Sequence, residues 1–393
     1  MPPANGGRME IKMAQLLYVC VDDINRQEFG VVKKILAQKY AFEKMGLDVI
    51  IAGFTEDGVY IQEPNGRRIT RLLSIIRNSR LKRFRRILLT NLIREYYIDH
   101  NFKYFYLRYV TFTKNYIDLL RFLKNHNVIN ILEIPTYPIP QSSIKIAIEK
   151  FNRASSVPAN YIDRLIYIGN KTERIYGLKA IQIPNGIPGT PPQFYHRIKT
   201  VHTSELHLIT VAWIHKGQGY DRIIDSLRRY YNSAGNHKYK IILNIVGDGP
   251  AKEQYEKMVK DFHLSEYINF WGYKKGNELT ELYNDADIAI AGLGGMEDSL
   301  KTASKLKVKE YFQYGIPFIY AVPEIDVPLN YKYALKVPND LSEKIDIHSI
   351  VDFGEMIINS NQLDIENEMH KFAREHFLWE SILRKNLGDL IDC

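Results

Sequence analysis

Two runs of alternating strand-like and helix-like segments, parted by a Pro- and Gly-rich stretch, limit what this 393-residue chain can fold into. The first run holds apolar strand signals at 16–21, 48–54, 104–110, 128–134, 164–169 and 180–184, with helical patterns near 28–45 and 113–125. "PNGIPGTPPQF" (184–194) then reads as a linker. The second run places strands at 206–214, 239–249, 267–273, 286–292 and 316–322, with helices near 219–233, 250–263 and 277–285 and another opening at about 303. Strands alternating with helices on both sides of a linker predict an α/β chain of two doubly wound, Rossmann-like domains with parallel sheets. A hydrophobic content of 45% suits two cores better than one. In that architecture ligands bind at the carboxyl ends of the strands, so the cleft between the domains is the expected site.

Only two cysteines occur, Cys20 and Cys393, which cannot build a disulfide framework or a cysteine metal site. A reducing cytoplasm is the expected compartment. No stretch approaches the roughly 20 apolar residues of a transmembrane helix. Asp22 and Asp23 follow the first apolar run where a signal peptide would carry small residues, so 14–21 reads as a first strand behind a loose tail of residues 1–9. The net charge is +8, and ten Lys or Arg residues crowd the acid-free stretch from Arg67 to Arg94. Leu81, Phe84, Leu88 and Leu92 recur there at helical spacing. Such a helix either lies on an anionic membrane surface or packs its apolar side on its own domain. Nucleic-acid binding is disfavoured, because Phe84 is the only aromatic among those cations.

"ASKLKVKEYFQYGIPFIYA" (303–321) carries the most pointed chemistry. Ser304 is placed to cap a helix that Gly315 and Pro317 stop, and Lys307 and Glu310 share a face of it. A surface ion pair is the plain reading of that spacing. Gly30 sits at the end of the first strand-turn and Gly294 and Gly295 sit in "GLGG", where backbone N–H groups can approach an anion. "VGDGP" (246–250) reads as a tight turn. "DAD" (285–287) offers two carboxylates but no nearby third ligand, so no metal site is expected. Protease, P-loop and esterase signatures are absent from the sequence.

"VAWIHKGQGYDRII", "IVGDGP", "FWGYKKGNEL", "ADIAIAGLGG" and "LKVKEYFQYGIPFIYA" occur in the order found in family-4-like glycosyltransferases. The chain resembles the bacterial enzymes of that family that build capsular and other surface polysaccharides. "GVVKKILAQKYAFEKMGLDV", "LRYV", "LEIPTYP" and "IPNGI" are similar to its N-terminal half. The resemblance implies the B-type glycosyltransferase fold: an acceptor-side domain at 10–188, a nucleotide-sugar domain at 189–375, and a last helix at 376–393 crossing back to the first. It implies that Glu310 holds the ribose hydroxyls of a nucleotide and that Lys307 faces the donor diphosphate. Lys309 is a further catalytic candidate, and Lys216, Gly30, Gly247, Gly272, Tyr273, Gly294, Gly295 and Val308 are donor-binding candidates. Arg108, Glu133 and Tyr137 form a candidate acceptor wall.

The chain also departs from the family pattern. A second glutamate usual eight residues before Glu310 is Thr302 here, and the usual Arg and Lys after the first C-domain strand fall on Trp213 and Gln218. Lys216, Lys307 or Lys309 must then meet the diphosphate charge. The resemblance implies a retaining, metal-independent transferase without cofactor, using a nucleotide sugar (UDP-sugar favoured) and a lipid-linked or oligosaccharide acceptor at the cytoplasmic membrane face. A sugar-nucleotide epimerase, a phosphorylase or a non-catalytic partner with this fold are the alternatives.

Overall fold

The computed structural model describes residues 14–25, 30–72, 84–108, 112–139, 158–187, 194–200, 204–235, 237–294 and 302–391. Gly295, Leu81 and the basic residues Arg77, Arg80, Lys82 and Arg83 lie outside them.

The first sheet has nine strands: β1 (Ala14–Val19), β2 (Leu47–Phe54), β3 (Gly58–Gln62), β4 (Arg68–Leu72), β5 (Tyr104–Arg108), β6 (Ile129–Tyr137), β7 (Arg164–Gly169), β8 (Arg174–Ile175) and β9 (Leu178–Gln182). Their order is β4-β3-β2-β1-β5-β6-β7-β9-β8, with β3, β4 and β8 antiparallel to their neighbours and the central six parallel. Leu16 to Val19 are fully buried on both faces, as a parallel strand covered by helices requires. Those helices are α1 (Gly30–Lys44), α2 (Phe84–His100) and α3 (Lys114–Asn125).

The second sheet holds β10 (Glu205–Val211), β11 (Lys240–Val246), β12 (Ile268–Gly272), β13 (Ile288–Ile290), β14 (Phe318–Tyr320) and β15 (Ala334–Lys336). All are parallel, in the order β12-β11-β10-β13-β14-β15. Around it lie α4 (Tyr220–Asn232), α5 (Lys252–Asp261), α6 (Asn277–Asp285), α7 (Leu306–Gln313), α8 (Ile347–Ile358) and α9 (Gln362–His376). Strand order reverses between β10 and β13 here and between β1 and β5 in the first sheet. These are the switch points where an open parallel sheet leaves a crevice.

The last helix, α10 (Trp379–Leu387), packs not on the second sheet but beside α1, with Trp379, Leu383 and Leu387 fully buried in the core of the first. The chain crosses itself where Ile187 N donates to Phe377 O (2.7 Å) and Trp379 N donates to Ile187 O (3.3 Å). A Cβ on Gly186 would lie 2.7 Å from the Trp379 ring, so glycine is needed for that crossing.

Three features differ from the sequence reading. Residues 58–72 form the β3–β4 hairpin, and α8, α9 and β15 complete the second domain. Within the described part of the basic stretch, several arginines are engaged with their own domain. Arg71 pairs with Glu95, Arg68 with Asp23 (3.0 Å), and Arg85 donates to Thr55 O (2.6 Å). Leu92 is buried and Leu88 packs beside it in the first core, so this part of the helix is not free to enter a bilayer. Finally, Lys305 is the N-cap of α7, and no side chain caps that helix.

A buried polar cluster ties α1 to β5 and β6. Glu133, fully buried on β6, accepts from Lys34 Nζ (2.8 Å), Gln38 Nε2 (3.0 Å) and the Tyr106 hydroxyl (2.6 Å). Burial alone would raise its pKa, but Lys34 and Arg108 overcome that and bring it down to about 2. Glu133→Ala would leave the Lys34 ammonium buried and unpaired. It should cost about 3–5 kcal/mol in denaturant unfolding at pH 7. Because the folded pKa lies below the ordinary 4.5, this contribution is complete above pH 4.5 and fades as pH falls towards 2. The gap between wild type and Glu133→Gln should therefore shrink on acidification.

Candidate functional site

A cleft of about 340 Å³ opens between the carboxyl ends of the two sheets. Thr136 and Gly169, at the ends of β6 and β7, face His215, Gln218, Ser304 and Lys305 across it. Its floor is the switch point of the second sheet. After β10 the chain makes a 3₁₀ turn over Lys216–Gln218 and enters α4 through Gly219 at φ 69°. The N–H groups of Leu293 and Gly294, just past β13, both donate to Gln218 O (2.9 and 3.0 Å). A Cβ on Gly294 would sit 2.3 Å from Gly217 O, and one on Gly219 would sit 2.1 Å from Gly294 N. Gly294, which suggested ligand contact, is thus required by loop-to-loop packing, which leaves a floor of bare backbone.

The first turn of α7 brings Lys307 against Gln218 of this floor. Its Nζ donates to Gln218 Oε1 and to the Tyr220 hydroxyl, each at 3.1 Å. Tyr220 bonds Thr210 Oγ1 (2.6 Å), which donates to Ile290 O (3.0 Å), so the ammonium is anchored to both switch-point strands. Burial pushes the Lys307 pKa down to about 7, against the pull of Glu324 and Glu310. Glu310, one turn on, is half-buried. Burial raises its pKa, while Lys33 of α1, the Tyr283 hydroxyl and Lys307 oppose the rise. The charge of Lys33 reaches Glu310 from the helix that Gly30 opens, so the two domains meet electrostatically at this carboxylate.

Other sequence candidates fall elsewhere. Lys309 is buried, paired with Asp326 and 4.6 Å over the Phe377 ring, so its charge is committed inside the second domain. Val308 is fully buried and offers only backbone. Lys216 is exposed on the 3₁₀ turn, and Tyr273 is 67% exposed just past β12. Gly247 (φ 127°) and Gly272 (φ 64°) are joined by Gly247 N donating to Gly272 O (2.7 Å). A Cβ on Gly247 would lie 1.9 Å from Ala212 O, a structural demand. Gly295 lies outside the described residues.

The acceptor-wall reading changes. Glu133 is enclosed in the cluster described above, and Arg108 is buried beside it, 3.8 Å from Asp22. Tyr137 is half-buried and packs edge-on against Tyr167. Thr136, its neighbour, lines the cleft instead. The "DAD" carboxylates are taken up by protein partners, Asp285 by the His207 ring (2.7 Å) and Asp287 by Lys199 (2.7 Å) and the His207 N–H (2.7 Å). Among the described residues no group of three or more His, Cys, Asp or Glu side chains is placed to hold a metal ion.

Sequence reasoning missed Lys33, His215 and Lys305. Lys305 is two residues from Lys307, a spacing that on a helix points side chains apart. As the N-cap it has extended backbone (φ −80°, ψ 134°), which the helical rule does not cover. The segment 302–305 is also sewn to the first domain. Asn170 Oδ1 accepts from Thr302 N (3.2 Å), Thr302 Oγ1 donates to Gly169 O (3.2 Å), and Asn185 N donates to Ser304 Oγ (2.8 Å). Ser304 donates onward to Asp326 (2.7 Å) rather than capping α7.

Comparison with known proteins places this geometry. Residues 193–295 match the family model described as "Glycosyl transferases group 1". That segment is similar to a domain of that family, and the chain as a whole has the B-type glycosyltransferase fold. It is similar to the alpha-monoglucosyldiacylglycerol synthase of Acholeplasma laidlawii, 31% identical over 90 residues, covering 23% of this chain and 22% of the relative. It is also similar to a protein of Salmonella typhimurium named as a colanic acid biosynthesis glycosyltransferase, 24% identical over 134 residues, 33% of this chain and 31% of the relative. The matches thus span about a fifth to a third of these curated relatives. Among solved structures it is similar to a sucrose-phosphate synthase from Thermosynechococcus elongatus (TM-score 0.66, 14% identity, 96% of this chain and 98% of the other). A glycosyltransferase from Rickettsia africae gives a TM-score of 0.65 at 14% identity, over 96% and 97% of the two chains.

The depressed Lys307 pKa has a measurable signature. Folding strips this amine of a proton that the unfolded chain holds up to about pH 10.5, so the group costs stability at pH 7 and below, and the cost vanishes as pH rises to 10.5. Lys307→Met should therefore melt higher relative to wild type at pH 6.5 than at pH 10, by on the order of 2 °C. A melting difference that does not vary with pH would refute the assignment.

Proposed function

We propose that the protein is a glycosyltransferase that moves a sugar from a nucleotide diphosphate to a glycan or glycolipid acceptor. The observation that carries this reading is the placement of Lys307 and Glu310 on one turn of α7, at the switch point of the second sheet and facing the first domain. Perturbed titratable groups of opposite sign in such a crevice mark a functional site. Glu310 would accept hydrogen bonds from the two ribose hydroxyls, and Tyr273 would wall the base. As the bond from the sugar's anomeric carbon to the diphosphate breaks, its electron pair stays on the leaving oxygen. Lys307 and the backbone floor would stabilise that charge with donors already in place. The acceptor hydroxyl would enter from the Thr136 side and pass its proton to the departing diphosphate oxygen as it bonds the anomeric carbon. We propose retention of anomeric configuration, a UDP-linked donor and no requirement for a metal, as the family resemblance implies.

Glu310→Ala should weaken UDP or UDP-sugar binding by about 1.5–3 kcal/mol in calorimetry, the scale of hydrogen bonds to a charged group. Glu310→Gln, which keeps one acceptor, should lose less. Unchanged affinity in a folded Glu310→Ala protein would refute the ribose assignment.

Among the described residues no helix is long and apolar enough to cross a membrane. The Arg67–Arg94 segment supports a peripheral role at the cytoplasmic membrane face, by charge alone now that Leu88 and Leu92 are packed inward. Each Lys or Arg near an anionic surface contributes about 1 kcal/mol, screened within a Debye length of about 8 Å. The protein should co-sediment with phosphatidylserine-containing vesicles, be released by 0.5 M salt and ignore neutral vesicles. Exchanging Arg80, Lys82, Arg83 and Arg86 for Gln should abolish the binding, and equal binding to neutral vesicles would reject the electrostatic mechanism.

A further inference from the structure

We infer that Lys305 is a second ligand for the donor's diphosphate, held at the cleft by Glu324 and acting with Lys307 across the first turn of α7. The inference rests on the nucleotide-sugar reading above and names a residue that reading does not include. The Lys305 side chain lines the cleft, and its Nζ has no solvent contact and no hydrogen-bond partner. The nearest carboxylate oxygen, Glu324 Oε1, is 3.8 Å away and likewise unbonded. An ammonium has three donors to satisfy, and leaving them unmet in a buried place is costly. The side chain is nevertheless fixed in position. The other Glu324 oxygen accepts from Lys305 N (2.8 Å), and the isolated bridge of Ala303 with Glu324 aligns the two segments.

The place to which the ammonium is held is equally specific. A Cβ on Gly292 would lie 2.6 Å from Lys305 Nζ, so the amine occupies the space beside the end of β13 that any other residue at 292 would fill. Burial lowers the Lys305 pKa, and the charges of Lys307 and Lys309 lower it further against the pull of Glu324. Two cations that repel across one helical turn, one of them without hydrogen bonds, are complementary to an anion with several separated oxygens. A diphosphate has that form. Lys309, the third lysine of the run, is excluded because Asp326 already takes its charge.

A plain structural ion pair is the competing account, and opposite-signed effects separate the two. If Lys305 serves the ligand, Lys305→Met should weaken UDP binding by about 10–100-fold and leave uridine binding unchanged. Glu324→Gln, which releases the ammonium from its carboxylate, should keep or tighten UDP binding. If the pair is only structural, both variants should fold less stably and bind UDP alike, which would overturn the inference. The double variant Lys305→Met/Glu324→Gln leaves no buried charge unpaired and guards against misfolding; full UDP affinity in it would also overturn the inference. Inorganic pyrophosphate separates this inference from the parent reading. Pyrophosphate binding lost in Lys305→Met, with no nucleotide bound by wild type, would keep the lysine pair as an anion site while removing the nucleotide-sugar function. Wild-type protein that binds neither probe would remove both.

Discussion

Everything at the cleft hangs on the place where the strand order of the second sheet reverses. Between β10 and β13 the two following loops turn apart, and the backbone there would be open if the loops did not meet. They meet because Gly217, Gly219 and Gly294 have no side chains, so Leu293 and Gly294 can donate to one carbonyl, Gln218 O. That contact sets the height of the floor. Lys307 reaches it only because Tyr220 and Thr210 relay hydrogen bonds down to Ile290 O. A parallel sheet thus supplies the crevice, and glycine packing sets Gln218 in its floor where the Lys307 ammonium can bond it.

The two domains handle buried charge in opposite ways. In the first, Glu133 is fully satisfied by Lys34, Gln38 and Tyr106, and its carboxylate is stabilised far below the usual range. Such a cluster fixes α1 against the sheet and has no acceptor left to offer. At the cleft, Lys305, Lys307, Glu310 and Glu324 are all shifted towards their neutral forms, because burial outweighs the partners present. Satisfied charge holds a fold together, and under-satisfied charge at a crevice is poised for a ligand. The contrast explains why Glu133 and Arg108, attractive in sequence, do not serve as a binding wall.

The cleft is also tied shut at its back. Residues 302–305 bond to Gly169, Asn170 and Asn185 on the first-domain side, and the same residues lead directly into α7. The crossing of Ile187 with Phe377 and Trp379 lies nearby in sequence to Asn185, and α10 locks that crossing through Trp379. Any change in the angle between the sheets would therefore pull on the segment that positions Lys305 and Lys307. The Lys33 field on Glu310 gives the first domain a second hold on the same turn.

Periodicity alone located the two doubly wound halves, most central strands and the shared turn of α7 that carries Lys307 and Glu310. These depend on local patterns of apolar residues and on helical spacing, which a chain carries wherever it folds. The β3–β4 hairpin was hidden because its charged edge residues, Arg68 and Arg71, satisfy themselves on Asp23 and Glu95 of distant elements. Leu88 and Leu92 gave a true helical stripe, but only the packing of α2 on its sheet shows which way it faces. Likewise three alternate lysines at 305, 307 and 309 are equivalent in sequence. Tertiary structure divides them: an N-cap turned into the cleft, a floor residue held by Gln218 and Tyr220, and a core residue neutralised by Asp326. Charge and spacing are local properties, whereas which partner removes a charge from solvent is decided by the chain segments that folding brings beside it.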